Sequence, residues 1–481
     1  MTHSRFRQGA GLALLLAGLF LSGLTVAAGN ELSIELQQQP WTGDLDGMIR
    51  RGFIRALVPY NHTLYFVDLG GTQRGISYEF MRGFEDTLNS RLGRGALRVE
   101  VVFIPVSRDQ LLPMLVSGQG DIAAANLTIT PQRQQLVDFT LPGARHVNEV
   151  IVTGPGAPPL NTLDDLAGKE IYVSRATSYY ESLVTLNRKF TERGLIPMKL
   201  REAPGNFETE DVLEMANAGL VKVVVADRYI ANLWRQVYPN IRVHEDLVVR
   251  ENGDIAFAIR KNSPQFKAQL DAFSKSHGGG TAFGNVTLQR YLAQTRWVKN
   301  ATSQDELKKF TTLVGLFQKY GKQYDIDWLL MAAQGYQESQ LDQNRRSQVG
   351  AIGVMQVMPA TAEKLQVGDI NELEPNIHAG VKYIRQIVDE YYGDVPMDPL
   401  NKVLFAFASY NAGPTRIKGL RKEAQALGLN PNVWFDNVER VAAYRIGRET
   451  VQYVANIYKY YIAYTLVQED VAQDLEQHSV H

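Results

Sequence analysis

The segment "ESQLDQNRRSQVGAIGVMQVMPATA", residues 338–362, carries the strongest signal of fold in this chain. The stretch that leads into it is "DIDWLLMAAQGYQES" (325–339). Asp325 or Asp327 can cap a helix that begins there and should end near Glu338. A carboxylate at a helix C-terminus meets the negative end of the helix dipole, and burial would also disfavour its charged form. Both effects raise the pKa, as a general acid at neutral pH requires. Glu338 is therefore a candidate acid, although its position alone also suits a solvated surface glutamate.

Two further motifs, "ASYNAGP" (408–414) and "ETVQYV" (449–454), follow in order. Together with Glu338-Ser339 and residues 347–359 they resemble the goose-type, lysozyme-like domain of the lytic transglycosylases. The chain departs from that pattern at Val354 and Ser409, where Leu and Ala are usual. The resemblance implies that Glu338 is catalytic, that Glu449 pairs structurally or orients Tyr410, and that the sugar cleft is lined by Ser339, Ser347, Met355, Gln356, Tyr410, Asn411 and Tyr453.

These motifs contain one obvious candidate acid. A glycoside hydrolase normally uses two carboxylates, the second as nucleophile or as the base that activates water. Asp342 lies close enough in sequence to meet Glu338 if the helix continued, but the family does not use that position. One carboxylate suffices if the attacking group is the C6 hydroxyl of the substrate itself, which would yield a 1,6-anhydro ring.

Residues 45–270 alternate β-branched strand-like runs, such as "LRVEVVFIPV" (97–106) and "VKVVVAD" (221–227), with helical stretches. This alternation predicts an α/β fold with a parallel sheet. The segment "GQGDIAAANLTITPQRQQLVDFTLPG" (118–143) resembles the extracellular solute-binding proteins for amino acids. The resemblance implies a two-lobed fold of the periplasmic-binding-protein type with an amino-acid or peptide effector bound by Tyr60 (or Tyr65), Asn126, Thr128, Arg133, Thr177, Ser178 and Asp227.

In that family, an arginine grips the ligand carboxylate and an acid takes the ammonium; Arg133 and Asp227 are the matching residues. The alternative is that Arg133 makes a structural salt bridge with Asp138 or a neighbour. From about residue 301 strand-like runs nearly vanish and apolar residues recur at helical spacing, which predicts an all-α domain over 301–466. The glycine-rich stretch 271–300 is predicted to link the domains, and 467–481 to form a polar tail.

Composition excludes several classes of protein. The 50 basic and 51 acidic residues give a formal charge of -1, so no excess of positive charge indicates nucleic-acid binding. The chain has no cysteine and its eight histidines show no metal-ligand spacing, so neither metal nor cofactor is expected. Arg5 and Arg7, an apolar run and small residues near Ala28 predict a cleaved signal peptide over residues 1–28 and export to the periplasm. The alternative is a retained transmembrane anchor, although the apolar run is short and diluted by Gly and Ser.

The order of these segments resembles the membrane-bound lytic murein transglycosylase F family over nearly the whole mature chain. That resemblance implies cleavage of the MurNAc–GlcNAc β-1,4 bond of peptidoglycan and peripheral attachment to the inner face of the outer membrane. Two alternatives are a muramidase that uses water, and a solute receptor whose helical domain grips glycan without cleaving it. An effector bound to the N-terminal domain is predicted to shift the enzyme between less and more active states. The alternative is a domain that only tethers the enzyme near peptide stems without switching it.

Overall fold

The structure, a computed structural model, describes residues 39–277 and 304–478 apart from 62, 68–71, 94–97 and 448. The predicted signal peptide and most of the predicted linker lie outside these residues. The first domain begins with α1 (Leu45–Arg51) and ends with α8 (Pro264–His277). Residues 271–277 are thus helical and belong to this domain, where the sequence predicted a linker from 271.

The first domain has two lobes joined by two long strands. The two connecting strands are β7 and β11. The strands of the whole domain are β1 (Phe53–Val58), β2 (Phe66–Val67), β3 (Gln73–Arg74), β4 (Glu100–Pro105), β5 (Ile122–Thr128), β6 (Val137–Phe139), β7 (Ala144–Thr153), β8 (Glu170–Val173), β9 (Lys199–Glu202), β10 (Val223–Asp227) and β11 (Arg242–Arg260). The remaining helices are α2 (Ile76–Leu92), α3 (Leu111–Val116), α4 (Pro131–Leu136), α5 (Ser178–Glu192), α6 (Thr209–Asn217) and α7 (Arg228–Trp234).

The main sheet has the order β10-β7-β11-β5-β1-β4, with β6 also paired to β11. β1 runs parallel to β4 and β5, whereas β11 is antiparallel to β5, β6 and β7. The predicted parallel sheet is therefore wrong, since this sheet is mixed. The reason is that the chain leaves the first lobe on β7 and returns on β11, so these two crossing strands must run in opposite directions.

β11 shows how the hinge is built. Its first part, from Arg242, pairs with β7, and its last part, from Ile255, pairs with β5 and β6 of the first lobe. Between them the register shifts repeatedly, and Asn252 adopts a left-handed φ of 54°. Such irregularities bend a strand and increase its twist, which places the two lobes on either side of a cleft.

The second domain is helical, as predicted, from Gln304 onward. Its helices are α9 (Gln304–Gln323), α10 (Trp328–Ser339), α11 (Pro359–Leu365), α12 (Leu373–Tyr392), α13 (Pro399–Ala412), α14 (Pro414–Ala426), α15 (Glu439–Arg445) and α16 (Glu449–His478). They enclose one apolar core that includes Phe317, Val354 and Val454. α16 continues to His478, so the stretch predicted to be a polar tail is helical as far as that residue.

The two domains are in direct contact through α16. Lys459 forms ion pairs with Asp211, at 2.9 Å, and with Glu214, both on α6 of the second lobe. Farther along α16, Ala463 and Leu466 belong to the buried apolar cluster of that lobe. The second domain therefore packs against the second lobe through part of a shared core.

The contact with the first lobe is smaller and polar. Ser107 donates to Asp436 through its backbone N–H, at 3.1 Å, and through its hydroxyl, at 2.9 Å. Asp436 lies in a kink with φ 58° between α14 and α15.

Within the described part of the chain, none of the helices is both long enough and apolar enough to cross a membrane.

Candidate functional site

Glu338 stands at the penultimate position of α10, which ends where the sequence predicted. Asp327 caps the start of this helix by accepting from the N–H of Leu329 at 2.9 Å, and Gln340 ends it in the left-handed conformation. Burial raises the pKa of Glu338 to about 7, and a hydrogen bond from Tyr453 lowers it in part. A carboxyl with a pKa close to neutral can both give and take a proton at physiological pH.

Glu338 is hydrogen-bonded to Tyr453, and Gln334 in turn orients Tyr453. The Tyr453 hydroxyl donates to Glu338 Oε1 at 2.5 Å and accepts from Nε2 of Gln334 at 3.2 Å. Gln334 is fully buried one turn before Glu338, and its Oε1 atom has no hydrogen-bond partner among the described residues. Sequence analysis missed Gln334. The available signal was its i, i+4 spacing from Glu338, which places both side chains on one face of the helix.

The loop after α10 is held to the end of that helix and to α12 by hydrogen bonds between side chains and the loop backbone. Ser339, buried at the helix end, donates its hydroxyl to the carbonyl of Val354 at 2.8 Å. Asn376 of α12 accepts from the N–H of Met355 and donates to the carbonyl of Ile352. Gly353 has a φ of 78°, and a Cβ there would lie 2.4 Å from Asn376 Nδ2, so this position requires glycine.

Two predicted cleft residues, Met355 in that loop and Ser339 at the end of α10, are buried, which corrects the prediction. Met355 is fully buried against Gly380 and offers no surface to a sugar. The hydroxyl of Ser339 donates to the backbone carbonyls of Gly335 and Val354, so Ser339 holds the loop in place and does not face the cleft. Met355 is buried because it is part of the apolar core, and Ser339 because the polar groups of a tight turn beside a helix end must be satisfied internally.

Other predicted residues are grouped around the acid or the loop. Tyr410 donates to the carbonyl of Met355 at 2.8 Å, and its pKa is raised by burial and by the charge of Glu338. Gln356 donates through Nε2 to the carbonyls of Gly353 and Arg345. Ser347, half-buried, accepts from the N–H of Ala351.

The remaining positions lie at the surface. Asn411 is exposed and accepts a hydrogen bond from Thr450 at 2.6 Å. Glu449 is exposed in the first turn of α16. No contact between Glu449 and Tyr410 is found among the described residues, and Thr450 is the residue of that motif that reaches α13. Asp342 is exposed and accepts from the N–H of Asn344, so it does not meet Glu338.

The site contains one acid, Glu338, and a tyrosine, Tyr453, that lowers the pKa of the acid through a hydrogen bond. In the described part of the chain, the hydrogen bond recorded for the Glu338 carboxyl comes from Tyr453, and no second carboxylate is bonded to it. Such a site can protonate a leaving oxygen and later accept a proton from a hydroxyl on the same face. Among the described residues, no other carboxylate is a cause of the pKa shift of Glu338, whereas a hydrolase normally places a second carboxylate near the scissile bond.

The second candidate site is a cavity of about 50 Å³ between the lobes of the first domain, lined by Asn126, Thr128, Arg133, Thr177, Ser178 and Asp227 among others. The structure thus brings together six of the seven predicted effector residues. The lobes touch across it, since Ser178 donates to the Thr128 hydroxyl at 2.9 Å and Arg133 donates to the carbonyl of Ala176. This is the closed arrangement of the cleft.

Arg133 is held by a structural ion pair. Its Nε atom lies 3.1 Å from Glu181 Oε1, and its Nη1 donates to the carbonyl of Thr128. The alternative of a salt bridge with a neighbour is therefore correct in kind, although the partner is Glu181. Asp138 pairs instead with Lys261.

Asp227 is buried in this cavity, and within the part of the chain that the structure describes its Oδ1 atom has no hydrogen-bond partner. Burial and the nearby Glu149 raise its pKa to about 7, against the effect of Tyr179, Arg108 and Arg133. A buried acid with an unused oxygen is suited to receive an ammonium group. Thr177 caps α5 by position, and its hydroxyl donates to the carbonyl of Ser174.

The prediction for Tyr60 is corrected by the structure. Tyr60 lines a separate cavity of about 120 Å³ between the two domains, and Tyr65 is buried against Phe103. The cleft instead contains Arg108, paired with Glu208 of the opposite lobe. Sequence analysis missed this pair because an arginine and a glutamate a hundred positions apart carry no spacing signal.

Comparisons with known proteins cover both domains. Residues 315–433 match the family model "Transglycosylase SLT domain", and residues 54–277 match "Bacterial extracellular solute-binding proteins, family 3". A protein of Desulfosudis oleivorans named "Membrane-bound lytic murein transglycosylase F" is 28% identical over 86% of this chain and 90% of its own length. One of the same name from Stutzerimonas stutzeri is 27% identical over 97% and 93%.

Solved structures similar to the first domain are amino-acid-binding proteins. An ancestral arginine-binding protein bound to arginine is 20% identical, with a TM-score of 0.40, over 50% of this chain and 98% of that one. A transporter substrate-binding protein of Streptococcus pneumoniae bound to L-arginine is 16% identical, with a TM-score of 0.42, over 52% and 98%.

A two-lobed solute-binding domain followed by a helical transglycosylase domain with one half-buried acid defines the class of this protein. The two matched segments account for most of the chain. The chain belongs to the membrane-bound lytic murein transglycosylase F family.

Proposed function

We propose that this protein is a lytic transglycosylase that cleaves the MurNAc–GlcNAc β-1,4 bond of peptidoglycan and leaves a 1,6-anhydromuramoyl end. The observation that carries the proposal is the single acid Glu338, with a pKa raised by burial to about 7 and one hydrogen bond from Tyr453. The names of the relatives support the same activity.

The reaction needs one proton to leave and return to the same carboxyl. Glu338, protonated, gives its proton to the glycosidic oxygen as the bond from C1 of MurNAc breaks. The C6 hydroxyl of the same sugar then forms a bond to C1, and the Glu338 carboxylate takes its proton. No water is consumed, and the carboxyl is protonated again for the next cycle. Tyr453 stabilises the carboxylate in the interval, because it donates to Oε1.

Mass spectrometry of digested sacculi tests this proposal. The wild-type protein should release muropeptides one water lighter than the products of a hydrolase. Glu338→Gln should abolish release, whereas Glu363→Gln, an exposed glutamate of α11, should not. Reducing-end products alone would identify a muramidase instead. Absence of any release by the wild type would favour the receptor, and unchanged clearing by Glu338→Gln would rule out Glu338 as the acid.

We further propose that the first domain binds an amino acid or peptide effector that modulates the enzyme. Asp227 is placed to take an ammonium, and Arg133 can take a carboxylate once Glu181 is displaced. The closed cleft must open to admit such a ligand. α16 connects the cleft to catalysis, since it contacts the second lobe and carries Tyr453.

Calorimetric titration of amino acids and stem peptides tests binding, with Arg133→Ala as the variant expected to lose it. Release of soluble muropeptides with and without saturating ligand then tests modulation. Equal rates would favour tethering, in which the domain only raises the local concentration of substrate. Location in the periplasm, peripheral to the inner face of the outer membrane, belongs to the same proposal and is tested by cell fractionation with a high-salt wash.

A further inference from the structure

A second cavity of the first domain lies outside the effector cleft, at the hinge. It has a volume of about 560 Å³ and is lined by both crossing strands, by α2 of the first lobe and by α7 of the second. The cavity and the cleft share Asn126 and Tyr229, whose hydrogen bond of 3.1 Å stands between them. Its size falls in the range of about 300–1,000 Å³ that is usual for small-molecule sites.

The lining of this hinge cavity differs in character from that of the cleft. Its floor is apolar, made by Ile76, Phe80, Leu141, Val147, Ile255 and Phe257. The cleft holds the carboxylates Glu208, Glu210 and Asp227, but the lining residues described for the hinge cavity contain no acid. A zwitterionic ligand suited to the cleft would therefore find no partner for its ammonium here.

The rim of the hinge cavity is basic. Arg145, His146, Arg228 and His277 line it. Arg228 is paired with Glu245, whereas Arg145 is exposed on β7 and makes no ion pair with any described residue. His146 beside it has a left-handed φ of 54°, which is uncommon outside glycine and often marks functional sites. An apolar floor with an unpaired cation at its edge favours a ligand with an apolar body and one anionic group.

We propose that the hinge cavity is a second ligand site, which takes a small molecule with an apolar body and a carboxylate held by Arg145. The ligand contacts α2 and α7 at once and lies against both crossing strands. Its affinity therefore depends on the angle between the lobes, which gives this site an influence on the hinge. The proposal is independent of the effector cleft, because it uses neither Arg133 nor Asp227.

Isothermal titration of the full chain with sodium decanoate tests the proposal, with decan-1-ol as the uncharged probe of the same chain length. Decanoate should bind the wild type roughly tenfold more tightly than decan-1-ol, since only decanoate can pair with Arg145. Arg145→Gln, a change at an exposed position, should remove that difference. Ala144→Trp, which fills the half-buried start of β7, should abolish binding of both probes.

Arg133→Ala is the matched control, and it should bind decanoate as the wild type does. Circular dichroism verifies that each variant is folded. The proposal is overturned if the wild type does not bind decanoate, if both cavity variants bind it normally, or if Arg133→Ala alone loses binding, which would place the probe in the cleft. A wild type that binds no decanoate but forms a dimer broken by Ala144→Trp would assign the cavity to a second copy of this chain.

Discussion

Replacing Glu338 by Gln should make the protein more stable at alkaline pH and leave its stability at acid pH nearly unchanged. The folded-state pKa of Glu338 is about 7, above the ordinary value of 4.5. A carboxyl whose pKa is raised on folding contributes stability that is fully present below the unfolded pKa and is lost as pH rises through the folded pKa. Above about pH 7 the folded protein must therefore bear a buried charge that glutamine does not have.

The magnitude follows from the size of that rise. At about 1.4 kcal/mol per pKa unit, a pKa raised from 4.5 to about 7 corresponds to about 3 kcal/mol at pH 8.5. At pH 4 both forms of the residue are neutral, so the difference should fall below about 0.5 kcal/mol. Glutamine keeps an acceptor for Tyr453, so the hydrogen bond at 2.5 Å need not be lost.

Urea unfolding followed by tryptophan fluorescence at pH 4 and pH 8.5 measures this difference, because Trp328 and Trp434 both lie in the helical domain. Glu363→Gln serves as the control for a general effect of removing a glutamate from an exposed helix face. The prediction is refuted if the difference in the free energy of unfolding between Glu338→Gln and wild type is the same at pH 4 and at pH 8.5. That result would mean that the carboxyl is hydrated in the folded protein, so burial could not explain a raised pKa for Glu338.

Three further outcomes are expected. Tyr453→Phe removes a hydrogen bond that lowers the pKa of Glu338, so the alkaline limb of the pH dependence of kcat/KM should move up by about one pH unit; a limb that stays in place contradicts this. Gly380→Ala would bring a Cβ within 2.6 Å of Met355, and should cost about 1–3 kcal/mol in chemical unfolding together with activity, whereas Gly419→Ala, which meets nothing within 4 Å, should not. Lys459→Met removes the ammonium group that pairs with the buried Glu214 and should weaken docking of the domains, seen as two separated calorimetric transitions. Adding Glu214→Gln to the same chain should restore a single transition.

The sequence predicted the parts of the fold that local pattern controls. The end of α10 near Glu338 follows from a cap at Asp327 and an apolar face, and the structure agrees. The two-lobed α/β domain and the helical domain were also predicted correctly. The mixed sheet was not, because the direction of β11 depends on a chain crossing that no local pattern records. Only the last part of β11, residues 253–260, has a clear strand pattern.

The limits at the site have the same physical origin. A motif identifies Met355 as belonging to the active-site loop, but it does not say which side chains of a tight loop face inward. Likewise, the cation for Glu208 comes from Arg108 of the opposite lobe. Pairings of this kind depend on how distant elements meet, and a single sequence contains no periodicity that reports them.

The position of Tyr453 on α16 has a consequence for modularity. Tyr453, which tunes the acid, and Leu466, which packs into the second lobe, are residues of one continuous helix, about 20 Å apart at 1.5 Å per residue. A helix of that length is nearly rigid, so the acid cannot keep its tuning group fixed while the lobe beneath it tilts. The two halves of this chain are thus not interchangeable parts joined by a tether: the binding domain is one of the supports of the catalytic centre, and an enzyme cut free of it would retain every motif of its family while losing the surface that holds one of those motifs in place.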